Sequence, residues 1–175
     1  MQDRIISEDI HSILNYPIAW EKMDNKTILI SGANSFMMSY FIYSILEEND
    51  RHNRNIKVVG LCRNMERARN RFKLYWDNPH LQIVEQDMLD PLTYDGTVDY
   101  CIHAASPAGI SSRQERPLDT YETNLHGCMN LVSFCEKKKA KNFLLLSSVD
   151  VYGKTNSDER LKEEDVGVMD WNYRR

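Results

Sequence analysis

Short apolar runs alternate with longer amphipathic segments along most of this chain. Runs rich in Ile, Val and Leu occupy residues 26–31, 56–62, 81–86, 98–103 and 142–147. Each run is continuous and bounded by polar residues, which favours a buried β-strand. We therefore predict five strands.

Three of the intervening segments predict helices. Residues 35–48 carry apolar or small side chains at helical spacing, namely Met37, Tyr40, Phe41, Ser44 and Ile45. Residues 66–76 predict a basic helix. A third helix begins near Pro117 and carries one continuous stripe, made of Leu118, Tyr121, Leu125, Cys128, Val132 and Cys135.

The alternation of strands and helices indicates the fold class. It is typical of βαβ units in a parallel sheet, and right-handed crossovers favour a doubly wound sheet. We predict an α/β protein with five strands in the order 3-2-1-4-5, built from residues 26–175. Residues 1–25 are predicted as a separate helical segment, capped by Ser7 and ended by Pro17. The sequence assigns no role to it.

Composition narrows the classes of partner. The formal net charge of −4 argues against nucleic acid as a main partner. The sequence has neither the apolar run that a membrane span needs nor a recognisable signal peptide. The four cysteines form no C-x-x-C pair and lie in apolar segments. We therefore expect reduced, buried thiols, a cytoplasmic protein and no metal site.

The first strand runs into a turn that could bind phosphate. The segment SGANSFMM (31–38) places Gly32 between a strand and a helix N-terminus, where free N–H groups favour an anion. A full glycine fingerprint would also have glycine at Ser35 and Met38. Because two of three glycines are missing, an ordinary strand–helix turn remains the alternative.

The second strand ends without the acidic residue that would bind a ribose 2′-OH. Cys62 holds that position and Arg63 follows it. An arginine here can pair with a 2′-phosphate, which favours NADP slightly over NAD. The alternative is that Arg63 only begins the solvated basic helix.

The fifth strand ends in SSVDVYG (147–153), where open α/β sheets place their chemistry. Together with ILISGANSF, QDMLD, HAASPAG and TNLHGCMNL, in this order along the chain, this segment resembles the extended short-chain dehydrogenase/reductase family. These are NAD(P)-dependent nucleotide-sugar epimerases, dehydratases and decarboxylases, and the UDP-glucuronate decarboxylase branch is the most similar. The resemblance implies a Rossmann-like domain without its C-terminal strands and substrate region.

The resemblance also implies residue roles. Asp87 and Met88 would flank the adenine, and Ala104, Ala105 and Ser106 would pass the phosphates and ribose. The other implied cofactor-binding residues are Gly32, Asn34, Ser35, Phe36, Met37, Arg63, Asn124 and Ser147. Simpler readings stay open: Asp87 could cap a turn before Pro91, and Asn124 could be a core amide.

The implied catalytic residues are Ser148, whose hydroxyl would bind the reacting substrate oxygen, and Asp150, which would handle a substrate proton. Family chemistry is transient oxidation at sugar C4 and needs a Tyr-x-x-x-Lys pair. Tyr173 has no lysine at the required spacing, so we expect the pair after Arg175 and no turnover by these 175 residues. The expected partners are a nucleotide sugar and a second copy of the chain, through the stripe on the third helix. The alternative is a non-catalytic, Rossmann-like binding or sensor module.

Overall fold

A computed structural model describes residues 4–107, 117–153, 160–165 and 167 of the chain. The chain divides into two compact units, Met1–Leu145 and Leu146–Arg175. The first unit holds the whole sheet. In the second unit the described backbone includes a short 3-10 helix, Val149–Tyr152.

The sheet has five parallel strands in the order β3-β2-β1-β4-β5, which confirms the predicted topology. The strand bounds are β1 Thr27–Ser31, β2 Lys57–Cys62, β3 Leu81–Glu85, β4 Tyr100–His103 and β5 Asn142–Leu145. The order reverses between β1 and β4, so the carboxyl ends of these two strands form the topological switch point.

Helices cover both faces of the sheet. The α-helices are α1 Arg4–Leu14, α2 Phe36–His52, α3 Met65–Arg71, α4 Pro117–Glu122 and α5 Cys128–Lys137. A 3-10 turn, Trp20–Met23, precedes β1, and a π-helical turn, Thr123–Gly127, joins α4 to α5. None of the helices among the described residues is long and apolar enough to cross a membrane.

Side chains alternate between two cores along the central strands, as the period of a β-strand requires. Ile28 and Ile30 point to the core shared with α1, α2 and α3, where Ile42 and Phe72 are fully buried. Leu29 points to the opposite core, which α5 closes with residues that include Leu131, Phe134 and Cys135. The sheet is therefore doubly wound, as predicted.

The N-terminal segment packs on the first of these cores. Ile10 of α1 and Trp20 are buried in the same cluster as Ile28. The Tyr40 hydroxyl of α2 donates to Asp9 of α1 over 3.2 Å. Ser7 lies inside α1 rather than at its cap, because the helix already begins at Arg4.

Two predicted helices differ from the observed ones. The basic helix ends at Arg71 rather than at residue 76, because the chain turns at Phe72 to bury its ring in the core. The stripe on the third helix does not stay on one face. The five-residue turn Thr123–Gly127 shifts the helical register, so Cys135 is buried while Leu118, Tyr121, Leu125, Met129 and Val132 remain exposed.

Candidate functional site

A cleft lies at the carboxyl ends of β1, β2 and β4, where the strand order reverses. Its volume is about 190 Å³. Nine of the predicted cofactor-binding residues line it, and they come from four separate loops: Gly32, Asn34, Ser35, Arg63, Asp87, Met88, Ala104, Ala105 and Ser106. The fold therefore brings together the β1–α2 turn, the end of β2, the loop after β3 and the loop after β4.

Gly32 is the residue on which the close approach of two of these loops depends. Its φ is +67°, a left-handed conformation that favours glycine. A Cβ here would lie 2.9 Å from the carbonyl oxygen of Ala104. The Gly32 N–H donates to the Leu61 carbonyl over 3.1 Å, which fixes the turn against β2. The surviving glycine of the fingerprint thus has a steric reason.

Close packing behind the turn depends on a glycine outside the fingerprint. Ala33 is fully buried against Gly60 of β2, where an added Cβ would lie 2.8 Å from the Ala33 Cβ. Met38, at the third fingerprint position, is a buried residue of the core beneath α2. The sequence signal for this arrangement was Gly60, which interrupts an otherwise apolar strand.

Ser35 is the N-cap residue of α2 and is exposed, and its side chain makes no capping hydrogen bond. Ser35 lines the cleft at the position where the fingerprint would have a second glycine. Phe36 and Met37, also predicted to bind the cofactor, do not line the cleft. Their side chains are 70% and 59% exposed on the first turn of α2.

Arg63 and Asp87 face each other across the cleft. The Arg63 Nη1 and the Asp87 Oδ2 are 3.9 Å apart, and both side chains remain accessible to solvent. The second Asp87 oxygen, Oδ1, accepts a hydrogen bond from the Leu89 N–H over 3.0 Å. Asp87 therefore does cap a turn, and it keeps one oxygen facing Arg63.

Cys62 is buried at the end of β2, behind Arg63. Burial raises the pKa of its thiol, and the backbone N–H groups of Asn34 and Ala33 offset this only in part. Cys62 is therefore a neutral group at the position where an acidic residue would carry charge.

Residues that the sequence analysis did not assign hold Met88 in place. The buried Gln86 side chain donates to the Asp87 carbonyl over 2.7 Å and accepts from the Thr93 N–H over 3.4 Å. Asn130 of α5 donates to the Met88 carbonyl over 2.9 Å. A Cβ on Gly127 would lie 2.9 Å from the Met88 Cβ, so glycine permits this contact. Gln86 and Gly127 lie in the motif segments QDMLD and TNLHGCMNL. Nothing in the sequence indicated that they would contact the segment around Met88.

Ser31 and His103 form a buried pair beneath the loop after β4. The Ser31 Oγ lies 2.6 Å from His103 Nδ1 and accepts from the N–H groups of Ala104 and Ala105, each over 3.1 Å. Since these two bonds use both lone pairs of the oxygen, we assign the hydroxyl proton to the bond with Nδ1. His103 then carries its proton on Nε2, and burial lowers its pKa.

The remaining predicted residues belong to the π-helical turn, to the second compact unit or to the part of the chain that the structure does not describe. Asn124 is exposed in the π-helical turn, and it is the neighbouring buried Thr123 that lines the cleft. Ser147 and Ser148 belong to the second compact unit, where the Ser148 carbonyl accepts from Val151 over 3.2 Å. The Asp150 side chain and all of Tyr173 lie outside the described part of the chain.

Comparison with known proteins gives consistent family matches. Residues 28–173 match the sequence profile of the family described as "NAD dependent epimerase/dehydratase family". UDP-glucuronic acid decarboxylase 5 of Arabidopsis thaliana is 27% identical over 129 residues, which cover 74% of this chain and 36% of that protein. UDP-glucuronic acid decarboxylase 1 of Danio rerio is 29% identical over 131 residues, covering 74% and 29%.

Solved structures share the fold at lower identity. A UDP-N-acetylglucosamine 4-epimerase from Methanobrevibacter ruminantium M1, in complex with UDP-N-acetylmuramic acid, superposes with a TM-score of 0.65 at 22% identity, covering 84% of this chain and 45% of that one. A UDP-glucuronic acid 4-epimerase from Bacillus cereus, in complex with UDP-glucuronic acid and NAD, gives 0.64 at 19% identity, covering 82% and 46%. This chain spans about a third of the length of the curated relatives it matches.

Proposed function

This chain belongs to the NAD dependent epimerase/dehydratase family, and from that membership we propose that it is the cofactor-binding part of an NAD(P)-dependent nucleotide-sugar epimerase, dehydratase or decarboxylase. The observation that carries the proposal is the cleft at the switch point, where four loops bring nine predicted residues together. Open α/β sheets bind their ligands at this place.

The residues present fit part of a dinucleotide. Gly32 lets the loop after β4 pack against the turn, since a Cβ there would meet the Ala104 backbone. The free N–H groups at the start of α2, directly after this turn, are suited to bind a phosphate. Asp87 and Met88 would hold the adenine, and Ala104, Ala105 and Ser106 would border the phosphates and ribose. The cleft volume of about 190 Å³ is below the roughly 300–1,000 Å³ typical of small-molecule sites, so it accommodates only part of the cofactor.

Bound NAD(P)+ would supply the oxidant for a sugar C4 hydroxyl, which is the shared chemistry of this family. We propose that Ser148 donates a hydrogen bond to the reacting substrate oxygen and that Asp150 exchanges a substrate proton. Ser147 would contact the cofactor, and Asn124 would brace the active-site strand, which is the role that the family resemblance implies for it. The four free cysteines support a reducing, cytoplasmic location.

The choice between NAD and NADP turns on charge at the end of β2. Arg63 favours NADP, because a guanidinium pairs well with a 2′-phosphate. Asp87 partly neutralises Arg63 at 3.9 Å, and the neutral Cys62 gives NAD no acidic ribose ligand. We propose that both dinucleotides bind, with a modest preference for NADP.

Calorimetric titration with NADH and NADPH tests this function. We expect saturable binding, reduced at least tenfold by Ser106→Trp, because the indole would fill the cleft that Ser106 lines. The matched control is Ser133→Trp, an exposed serine on α5 outside the cleft. Binding that both variants reduce equally, or no binding of either dinucleotide to the unaltered chain, would contradict the proposal.

A second candidate is a Rossmann-like module that binds or senses a ligand without chemistry. Two observations favour it. Ser35 places a side chain at the second fingerprint position, beside the cleft, and Met38 places a core side chain at the third. The calorimetric titration distinguishes the two candidates. The cofactor-binding part of an enzyme binds NADH or NADPH, whereas a module that has lost cofactor binding binds neither.

A further inference from the structure

A second cleft of about 820 Å³ is lined by residues of α2 and α3 and borders the cleft at the switch point. The two clefts share Asn34, Ser35 and Arg67 among their lining residues, so they lie next to each other. The second cleft is also lined by Ile6 of α1, which lies outside the family match at residues 28–173. The N-terminal segment thus forms part of the wall of this second cleft, although it lies outside the residues that match the family.

The cleft is cationic. Arg67, Arg71 and Lys73 line it, and none of its other lining residues among those that the structure describes is a carboxylate. Within the described part of the chain, none of these three side chains forms an ion pair. By contrast, the nearby Arg63 faces Asp87, and the Arg69 guanidinium lies over the Trp76 ring at 4.9 Å. Three unpaired cations around one concave surface favour an anionic ligand.

The positions of the cations are fixed by local structure. Arg67 and Arg71 are four residues apart on α3, so both project from the same side of the helix. The Asn64 side chain caps that helix through the Arg67 N–H over 2.8 Å, and the Tyr43 hydroxyl donates to the Arg71 carbonyl over 2.5 Å. The backbone that carries both guanidinium groups is therefore anchored to α2 and to the end of β2.

We propose that this cleft binds a phosphate group, held by Arg67, Arg71 and Lys73. Arginine forks and a lysine ammonium are the side chains that recognise phosphate best. The group has two possible sources. One source is the 2′-phosphate of NADP(H), which would be bound next to Arg67, a residue that lines both clefts. The other source is a separate phosphorylated small molecule. The first source rests on the proposed dinucleotide function, and the second does not.

Titration calorimetry at low ionic strength tests the site, since salt screens exposed charges. The probes are adenosine 2′,5′-bisphosphate, 5′-AMP and inorganic pyrophosphate, and the test variant is the double substitution Arg71→Gln with Lys73→Gln. The control is Arg69→Gln, which removes a charge from the same helix but not from the cleft. Thermal unfolding of each variant verifies that it is folded.

If the phosphate belongs to the cofactor, the bisphosphate binds at least tenfold more tightly than 5′-AMP, a difference of about 1.4 kcal/mol. The double variant then abolishes this difference and leaves 5′-AMP binding intact. If the ligand is separate, the two nucleotides bind alike, while pyrophosphate binds together with 5′-AMP and loses at least tenfold in the double variant.

The inference is overturned if the double variant binds all three probes as the unaltered chain does, or if Arg69→Gln weakens binding equally. Its failure is distinguishable from failure of the proposed function. Binding of 5′-AMP and NADH without any effect of the double variant removes only the phosphate site. Pyrophosphate binding that depends on Arg71 and Lys73, without binding of NADH or NADPH, removes only the dinucleotide function.

Discussion

At the scale of single residues, the Ser31–His103 pair sets the shape of the candidate site. Ser31 links two backbone N–H groups of the Ala104–Ala105 segment to the imidazole. A protonated imidazole would have to donate from Nδ1 to an oxygen whose lone pairs are already used. Burial and this hydrogen-bond arrangement therefore both favour neutral His103.

This arrangement predicts a pH dependence of stability. The folded-state pKa of His103 lies below its unfolded value of about 6.5, so the stabilisation is complete above that pH and is lost as the pH falls toward the folded pKa. His103→Asn keeps an acceptor near Nδ1 but does not titrate. Between pH 7.5 and 5, we expect urea unfolding to show a larger loss of stability for the unaltered chain than for His103→Asn. The excess is at most about 1.4 kcal/mol per pH unit. Parallel curves for the two proteins would refute the assignment.

The sequence predicted several site residues but not their contacts. Gly32, Asp87 and Ala105 followed from short motifs because their positions relative to strand ends decide where they lie. The Arg63–Asp87 pairing depends on the register between β2 and β3, and the Ser31–His103 bond depends on the register between β1 and β4. No local pattern encodes either register, since the partners are far apart in the chain.

At the scale of elements, Asn49 connects α2 to the start of the second strand. Its side chain donates to the Ile56 carbonyl over 2.8 Å and accepts from the Ile56 N–H over 2.9 Å. Ile56 is fully buried, so no water can replace these bonds. One amide thereby fixes where the chain returns to the sheet.

We expect Asn49→Ala to lower the free energy of unfolding by about 3 kcal/mol, because two buried backbone groups lose their partners. The gain in helix propensity, about 0.5 kcal/mol, offsets little of this loss. Asn70→Ala, on the exposed side of α3, should change stability by no more than about 0.5 kcal/mol. Urea unfolding measures both variants, and equal effects would show that the Asn49 bonds contribute nothing specific.

Helical periodicity predicted the segment from Pro117 to Lys137 but placed the wrong residues on its buried face. The prediction assumed 3.6 residues per turn throughout. The π-helical turn at Thr123–Gly127 adds a residue to one turn, so the exposed stripe continues through Met129 rather than Cys128. A sequence pattern cannot reveal such an insertion, because the same spacing fits an unbroken helix.

At the scale of the whole molecule, the alternation of strands and helices predicted the parallel, doubly wound sheet. The observed strand order also agrees with the predicted Rossmann-like order 3-2-1-4-5. Residues 117–137 leave an apolar surface exposed on α4 and α5. Leu118 is 73% exposed, Tyr121 60% and Met129 58%. Large exposed apolar patches mark interaction sites, and we propose that this one mediates self-association.

Light scattering tests this proposal. We expect the unaltered chain to form dimers and Leu125→Glu with Met129→Glu to be monomeric, because two carboxylates would be desolvated at the contact. Tyr16→Glu, an exposed aromatic residue after α1, is the control and should leave the dimer intact. A monomeric unaltered chain at high concentration would exclude the surface as a dimer contact.

We propose that the cleft at the switch point binds a dinucleotide. Backbone amide chemical shifts, followed while isotope-labelled protein is titrated with NADH, test it most directly. If a dinucleotide binds there, we expect saturable shifts at Gly32, Asn34, Asp87, Ala105 and Thr123, and unchanged amides on the outer face of α5. The absence of saturable shifts, or shifts confined to residues outside the cleft, would contradict it.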